Sequence, residues 1–142
     1  MVMIAAPAAL AWAGKPANAP PAPPNPGGPP PAWVETQTQS AWLAYGSYCW
    51  TGNGKATCAD MIPPQDRPAL PVVGVKRGRL LRVHLGFTAN SVEVSLNGHL
   101  ARAKLNSSRR IVSWNATRSG ILTVFTRGVG GDASYVARLR LH

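Results

Sequence analysis

Few side chains in this sequence could do acid–base, nucleophilic or metal chemistry, and their spacing limits what they could do together. The carboxylates are Glu35, Asp60, Asp66, Glu93 and Asp132; the histidines are His84, His99 and His142. A metal site needs His, Cys or carboxylate ligands at short, defined separations. No His-x-His or Cys-with-His spacing occurs, so neither a metal nor a cofactor is expected. Cleaving a glycosidic bond takes two carboxyl groups facing each other across a cleft. Asp60 and Asp66 are the nearest pair, and both fall in a Pro-rich stretch suited to a connection. No serine sits in a Gly-x-Ser-x-Gly turn, and Gly128-Val129-Gly130-Gly131 lacks the Lys-Ser/Thr of a phosphate-cradling loop. The chain is therefore not expected to be an enzyme, and a hydrolase built on Asp60 and Asp66 ranks last among the alternatives.

The two cysteines have a definite chemistry. Asn53-Gly54 is a favoured two-residue hairpin turn, because both residues tolerate the positive φ it requires. Pairing outward from it sets Gly52 against Lys55, Thr51 against Ala56, Trp50 against Thr57 and Cys49 directly against Cys58. The cysteines then occupy a non-hydrogen-bonded pair, whose Cα atoms approach to about 4.5 Å, within reach of a disulfide. A Cys49–Cys58 bridge is expected, and with it an oxidising compartment.

Cations are the other chemical resource. Fifteen Lys and Arg against five acids give a net charge of +10, which attracts anionic polymers. Arg102 and Lys104, Arg138 and Arg140, and Arg82 alternate outward on three separate strand patterns. If those strands shared one sheet, its outer face would be a positive platform with Phe125 exposed in it. The expected partner is an anionic cell-envelope polymer or another protein. Nucleic acid ranks lower, because base stacking would want more than one exposed aromatic.

The elements that must position these groups read as strands. Leu81, Val83, Leu85 and Phe87 alternate with Arg82, His84 and Gly86, and Val92, Val94 and Leu96 with Ser91, Glu93 and Ser95. Leu122, Val124 and Thr126 form one face of a further run, and Tyr135, Ala137, Leu139 and Leu141 one face of the last. Short period-two runs broken by turn signals predict a sandwich or barrel. Asn97-Gly98 closes a second hairpin, pairing Leu96 with His99 and, further out, Glu93 with Arg102. A third turns about Gly130-Gly131, setting Thr126 against Tyr135, Val124 against Ala137 and Leu122 against Leu139. His84 should stand on a solvated strand face. Ala59 to Pro71, with four prolines, cannot be a central strand and is expected to cross between sheets. Alternation from Trp42 puts Tyr48 and Trp50 on one face and Tyr45 and Cys49 on the other, with most of these aromatics in the core.

The run Gly46-Ser47-Tyr48-Cys49-Trp50 followed by Cys58-Ala59-Asp60 resembles small exported proteins of Gram-positive bacteria, a group with no assigned activity. The stretch from Pro71 to Gly98 is similar in layout to their immunoglobulin-like core. The resemblance, over roughly residues 41–142, implies export, a local disulfide and a sandwich, and brings no catalytic residues. Both cysteines belong to one hairpin rather than bridging two sheets, unlike a true immunoglobulin domain.

The expected fold is therefore an all-β, immunoglobulin-like antiparallel sandwich of about seven strands over residues 33–142. Ahead of it, residues 14–32 hold nine of the fourteen prolines and read as an extended, disordered linker. Residues 1–13 are nearly all apolar and close on Ala11-Trp12-Ala13, a small-x-small cleavage pattern, though no basic residue precedes Lys15. Thirteen residues are too few to span a bilayer. The chain is expected outside the cytoplasm, secreted or at the cell surface, as a non-enzymatic binding or structural module. The main alternative is a cytosolic nucleic-acid-binding β domain that keeps its N-terminus and its thiols.

Overall fold

The structure, a computed structural model, describes residues 11–52 and 54–142. Most of the expected signal peptide, residues 1–10, lies outside the described residues, as does the turn residue Asn53. The described chain is all-β. Its strands are β1 (Trp33–Glu35), β2 (Ser40–Trp42), β3 (Ala44–Gly52), β4 (Lys55–Ala59), β5 (Val72–Val75) and β6 (Leu80–His84), then β7 (Ala89–Leu96), β8 (His99–Leu100), β9 (Lys104–Leu105), β10 (Ile111–Asn115), β11 (Gly120–Gly128) and β12 (Gly131–Leu141). They form two sheets, ordered β2-β1-β6-β10-β9 and β4-β3-β12-β11-β7-β8, with β5 also paired to β12. Val34, Leu81, Val83, Val112 and Trp114 of the first sheet pack against Trp50, Val94, Leu122, Val124 and Tyr135 of the second.

Strands β5 to β12 alone give the immunoglobulin-like layout, with β6-β10-β9 facing β5-β12-β11-β7-β8. The strand count exceeds seven because β1–β4 are added ahead of that core and because several edge strands are only two or three residues long. One pairing is parallel: Val72–Val75 runs beside Arg138–Leu141, while β3 takes the same edge of β12 earlier along it, antiparallel.

The hairpins test the local chemistry one by one. Asn97 and Gly98 have φ of 49° and 80°, and Leu96 pairs with His99 as the turn requires. The ladder then ends after Leu100, so Glu93 lies opposite Phe125 on β11 and does not meet Arg102. The β3–β4 register agrees at every expected pair, Cys49 opposite Cys58 included. The last hairpin differs: Gly128 pairs with Gly131, so Thr126 meets Ala133, Val124 meets Tyr135 and Leu122 meets Ala137. That is a slip of two residues, which leaves every side chain on its expected face because the side-chain period is also two.

Two expectations change for physical reasons. On β3, Tyr48 pairs with Ala133 but Tyr45 with Tyr135, so three steps on one strand match two on the other. Such a bulge re-aims side chains. It turns Tyr45 back to the core face, where Tyr45, Tyr48 and Trp50 are all buried and only Cys49 points out. Gly46 lies in the bulge, where a Cβ would collide with the hydroxyl of Ser134. The connection 60–71 does not cross between sheets, since β4 and β5 belong to the same one. It instead shares a shallow recess with the outward residues Thr123, Phe125 and Val136 of that sheet, and Val136 is buried there.

Residues 14–31 carry no helix or strand, in line with their prolines, yet they are tied to the sandwich. Tyr45 donates its hydroxyl hydrogen to the carbonyl of Pro29 at 2.8 Å, and Tyr135 to that of Pro30 at 2.6 Å. Buried tyrosine hydroxyls need acceptors. A strand's carbonyls are already engaged in its ladder, whereas these proline carbonyls are not.

Candidate functional site

The expected basic platform does not form. Arg138 and Arg140 lie on β12 of the larger sheet, Arg82 on β6 and Lys104 on β9 of the smaller one, and Arg102 in the turn between β8 and β9. Phe125, 42% exposed, has Glu93 directly across from it on β7, and its neighbour Arg127 is paired with Asp132 at 3.0 Å. The disulfide is present, with Cα atoms 4.1 Å apart. Asp60 accepts a hydrogen bond from the Ser47 hydroxyl at 3.3 Å, and Asp66 is exposed in a 3₁₀ turn. Among the described residues no group of three or more His, Cys, Asp and Glu side chains is placed to hold a metal ion.

The structure instead brings together two constellations. The first is built on the outer face of the smaller sheet, where β1 pairs with β6 so that Trp33 lies opposite His84 and Glu35 opposite Arg82. The Trp33 and His84 rings stack at 3.7 Å, 3° from parallel. Oε1 of Glu35 accepts hydrogen bonds from Nε of Arg82 at 2.5 Å and from Nε2 of His84 at 2.7 Å; Oε2 accepts one from the Gly14 amide at 2.7 Å. An ionised carboxylate has no hydrogen to give, so His84 carries its proton on Nε2. Trp12 lies over the Arg82 guanidinium at 3.9 Å and Lys15 over Trp42 at 5.6 Å, while the Trp42 indole donates to the Asn18 carbonyl. Glu35 is thereby 0% exposed although it faces outward. Burial pushes its pKa up, but Arg82, His84 and the Gly14 amide together hold it below the ordinary carboxylate value. His84 is lowered, chiefly by burial and against the pull of Glu35. His84 is thus a paired histidine rather than a solvated one.

The second is a cavity of about 370 Å³ between the β7–β8 hairpin and the end of β10. Leu96, Leu100 and Trp114 line it with His99, Arg102 and Arg118, and its walls hold no carboxylate. Trp114 is 3% exposed, and its indole Nε1 has no hydrogen-bond partner among the described residues. A buried donor without an acceptor is uncommon in native proteins and calls for a specific explanation. Leu100, 68% exposed, stands at the mouth. Two guanidiniums and an apolar wall suit an anionic group carried on a partly apolar body.

Of these residues the sequence pattern points to Arg82 and Arg102 as binders, and Arg82 is turned to Glu35 instead. Glu35 and Arg82 are 47 positions apart, so their meeting depends on sheet order rather than local spacing. Trp114 and Arg118 likewise reach the cavity only because β10 ends beside the β7–β8 hairpin. Comparison with known proteins adds no relative: no family model matches the chain, and no curated protein or solved structure matches it significantly. Among the described residues no helix is long and apolar enough to cross a membrane, and the Cys49–Cys58 bridge fits an extracytoplasmic protein.

Proposed function

We propose that the chain is an exported, non-enzymatic binding module whose partner is an anionic polymer of the cell envelope, engaged at the cavity between the β7–β8 hairpin and β10. The observation that carries this reading is a cavity lining that holds Arg102 and Arg118 with no carboxylate, together with Trp114, whose buried N–H has no partner among the described residues. The charge balance supports it: among the described residues only Arg82 and Arg127, of fifteen Lys and Arg, are paired with a carboxylate. The remainder draw anions toward the domain from about a Debye length away, roughly 10 Å at 0.1 M salt.

Calorimetric titration with polyglutamate and inorganic polyphosphate tests the proposal. Binding should be measurable at low salt and fall steeply as salt rises. A hydrogen bond to a charged group contributes about 1.5–3 kcal/mol, so Arg102→Ser/Arg118→Ser should weaken binding by at least about tenfold. Arg138→Ser/Arg140→Ser, which removes as much charge from β12, outside the cavity lining, should weaken it far less. Equal losses from the two pairs would reduce the interaction to net charge. Absence of binding at low salt would discard the polymer, and tighter binding to duplex DNA would favour the nucleic-acid alternative.

A further inference from the structure

Glu35 is an outward-facing carboxylate buried under residues 12–14, and its two oxygens are used unequally. Arg82 and His84 share Oε1, whereas among the described residues Oε2 has only the Gly14 nitrogen, at 2.7 Å. That nitrogen belongs to the residue immediately after Ala11-Trp12-Ala13, the small-x-small cleavage pattern. Both alanines of the pattern are exposed.

We infer that Glu35 is the receptor for a processed N-terminus: hydrolysis of the Ala13–Gly14 bond leaves an α-ammonium on Gly14 that ion-pairs with Glu35 Oε2. A processing endopeptidase adds water across that amide, giving a carboxylate on Ala13 and an amine on Gly14 that takes up a proton from solvent. A neutral amide donor is replaced by a full positive charge at the same atom, and a charge-assisted bond is roughly twice as strong. Residues 15–18 hold the new terminus in place, since Lys15 lies over Trp42 and the Asn18 carbonyl accepts from the Trp42 indole. What leaves with the cut is the Trp12 stack on Arg82 and the bond from the Ala13 amide to the Thr36 carbonyl at 3.0 Å. Gly14 has φ of +85°, and a Cβ built there would meet nothing within 4 Å.

The inference rests on the export half of the proposed function and is independent of any ligand. The test uses protein recovered from a secreting culture of the native host. Intact mass should place the first residue at Gly14. Competitive acetylation across pH should then show the Gly14 amine titrating at least one unit above the ordinary α-amino value of about 7.7–8.0. At a fixed pH near 7.5 it should label about tenfold more slowly than in the same chain unfolded in urea. Glu35→Gln should return the folded rate toward the unfolded one, and if that variant does not fold the wild-type comparison stands alone. A disulfide-bonded chain cut elsewhere, or a Gly14 amine of ordinary pKa in the folded protein, overturns the inference and leaves export standing. An uncut chain with free thiols overturns both.

Discussion

Replacing Glu35 by Gln keeps the shape of the side chain and removes its charge, which makes it a sharp test of how the smaller sheet's outer face is held. Three donors converge on the carboxylate: Arg82 Nε, His84 Nε2 and the Gly14 amide. A carboxamide has one accepting oxygen, so its NH2 must face at least one of these donors. Leaving a buried donor unmet costs about 1–3 kcal/mol. Arg82 is 31% exposed and can recover some hydration, so we expect a loss near the middle of that range, about 2 kcal/mol at pH 7. For a urea m-value of about 1–3 kcal/mol per molar, the unfolding midpoint should fall by about 1 M. The pH dependence carries a second signature. His84 is lowered from 6.5 and Glu35 from 4.5, so in each case the unfolded chain binds the proton at higher pH than the folded one. Stability is therefore complete above pH 6.5, declines below it as His84 resists protonation, and declines further below 4.5 once Glu35 joins. Glu35→Gln abolishes the component below pH 4.5 and, by removing the partner that favours the imidazolium, steepens the one above it. Chemical denaturation by fluorescence at pH 7, 5.5 and 4 measures both, with Glu93→Gln as an exposed control. A midpoint shift below about 0.3 M at pH 7, or a pH profile parallel to wild type, would refute the assignment of Glu35 as the anchor of this face.

Cys49→Ser/Cys58→Ser opens a loop of sequence separation 9, which the chain-entropy model values at about 2.5–3 kcal/mol; differential scanning calorimetry should show a fall in Tm of about 10 °C. Tyr135→Phe deletes the hydrogen bond to Pro30 without opening a cavity, so it should lose about 1 kcal/mol and expose the segment 14–31 to limited proteolysis, where a wild-type cleavage rate would contradict the tethering role. Burial raises Tyr45 to about 12, with Tyr48 adding to the effect, and lifts Tyr135 further still; spectrophotometric titration should find these two phenols silent through pH 11, with Tyr135→Phe leaving the total at pH 11 unchanged. Leu122→Ala empties a position of 0% exposure between the sheets and should destabilise by about 2–5 kcal/mol in urea unfolding.

What the sequence made legible is what local chemistry decides. Asn97-Gly98 and Asn53-Gly54 specify their hairpins because a two-residue turn restricts both residue type and register, and the second turn places Cys49 opposite Cys58. Gly128 to Gly131 is less determinate, since several glycine pairs could occupy the turn, and the register settles two residues from the expected one. The Tyr45 face could not be found by strict alternation; the available signal was Gly46 inside an aromatic strand, a residue that often marks a bulge. Sheet order was not legible at all. Nothing in a three-residue strand such as Trp33–Glu35 declares that it pairs with Leu80–His84, and both constellations depend on pairings of that kind.

The location of any anion site is set by which surfaces the chain covers with itself. Residues 12–18 lie against Arg82, Glu35 and Trp42 on the smaller sheet's outer face. On the larger sheet the connection 60–71 shelters Val136, and Arg67 donates to the Tyr45 carbonyl at 2.5 Å. Around the open patch at Phe125, Glu93 lies across the ladder and Arg127 is held by Asp132, so these groups leave one negative charge. The cavity by the β7–β8 hairpin differs from all three. It has two guanidiniums and an imidazole on its lining, no carboxylate to neutralise them, and a buried indole N–H without an acceptor. A chain of net charge +10 attracts anions everywhere, but long-range attraction carries no preference for one site. Specificity requires more than charge, and among the described residues Trp114, in the cavity lining, has the one buried side-chain N–H left without an acceptor. Trp114→Phe should therefore weaken polyanion binding without altering its salt dependence, whereas Arg102→Ser should change both. If the two variants moved the salt dependence alike, the cavity would be acting as a cluster of charge and not as a binding site.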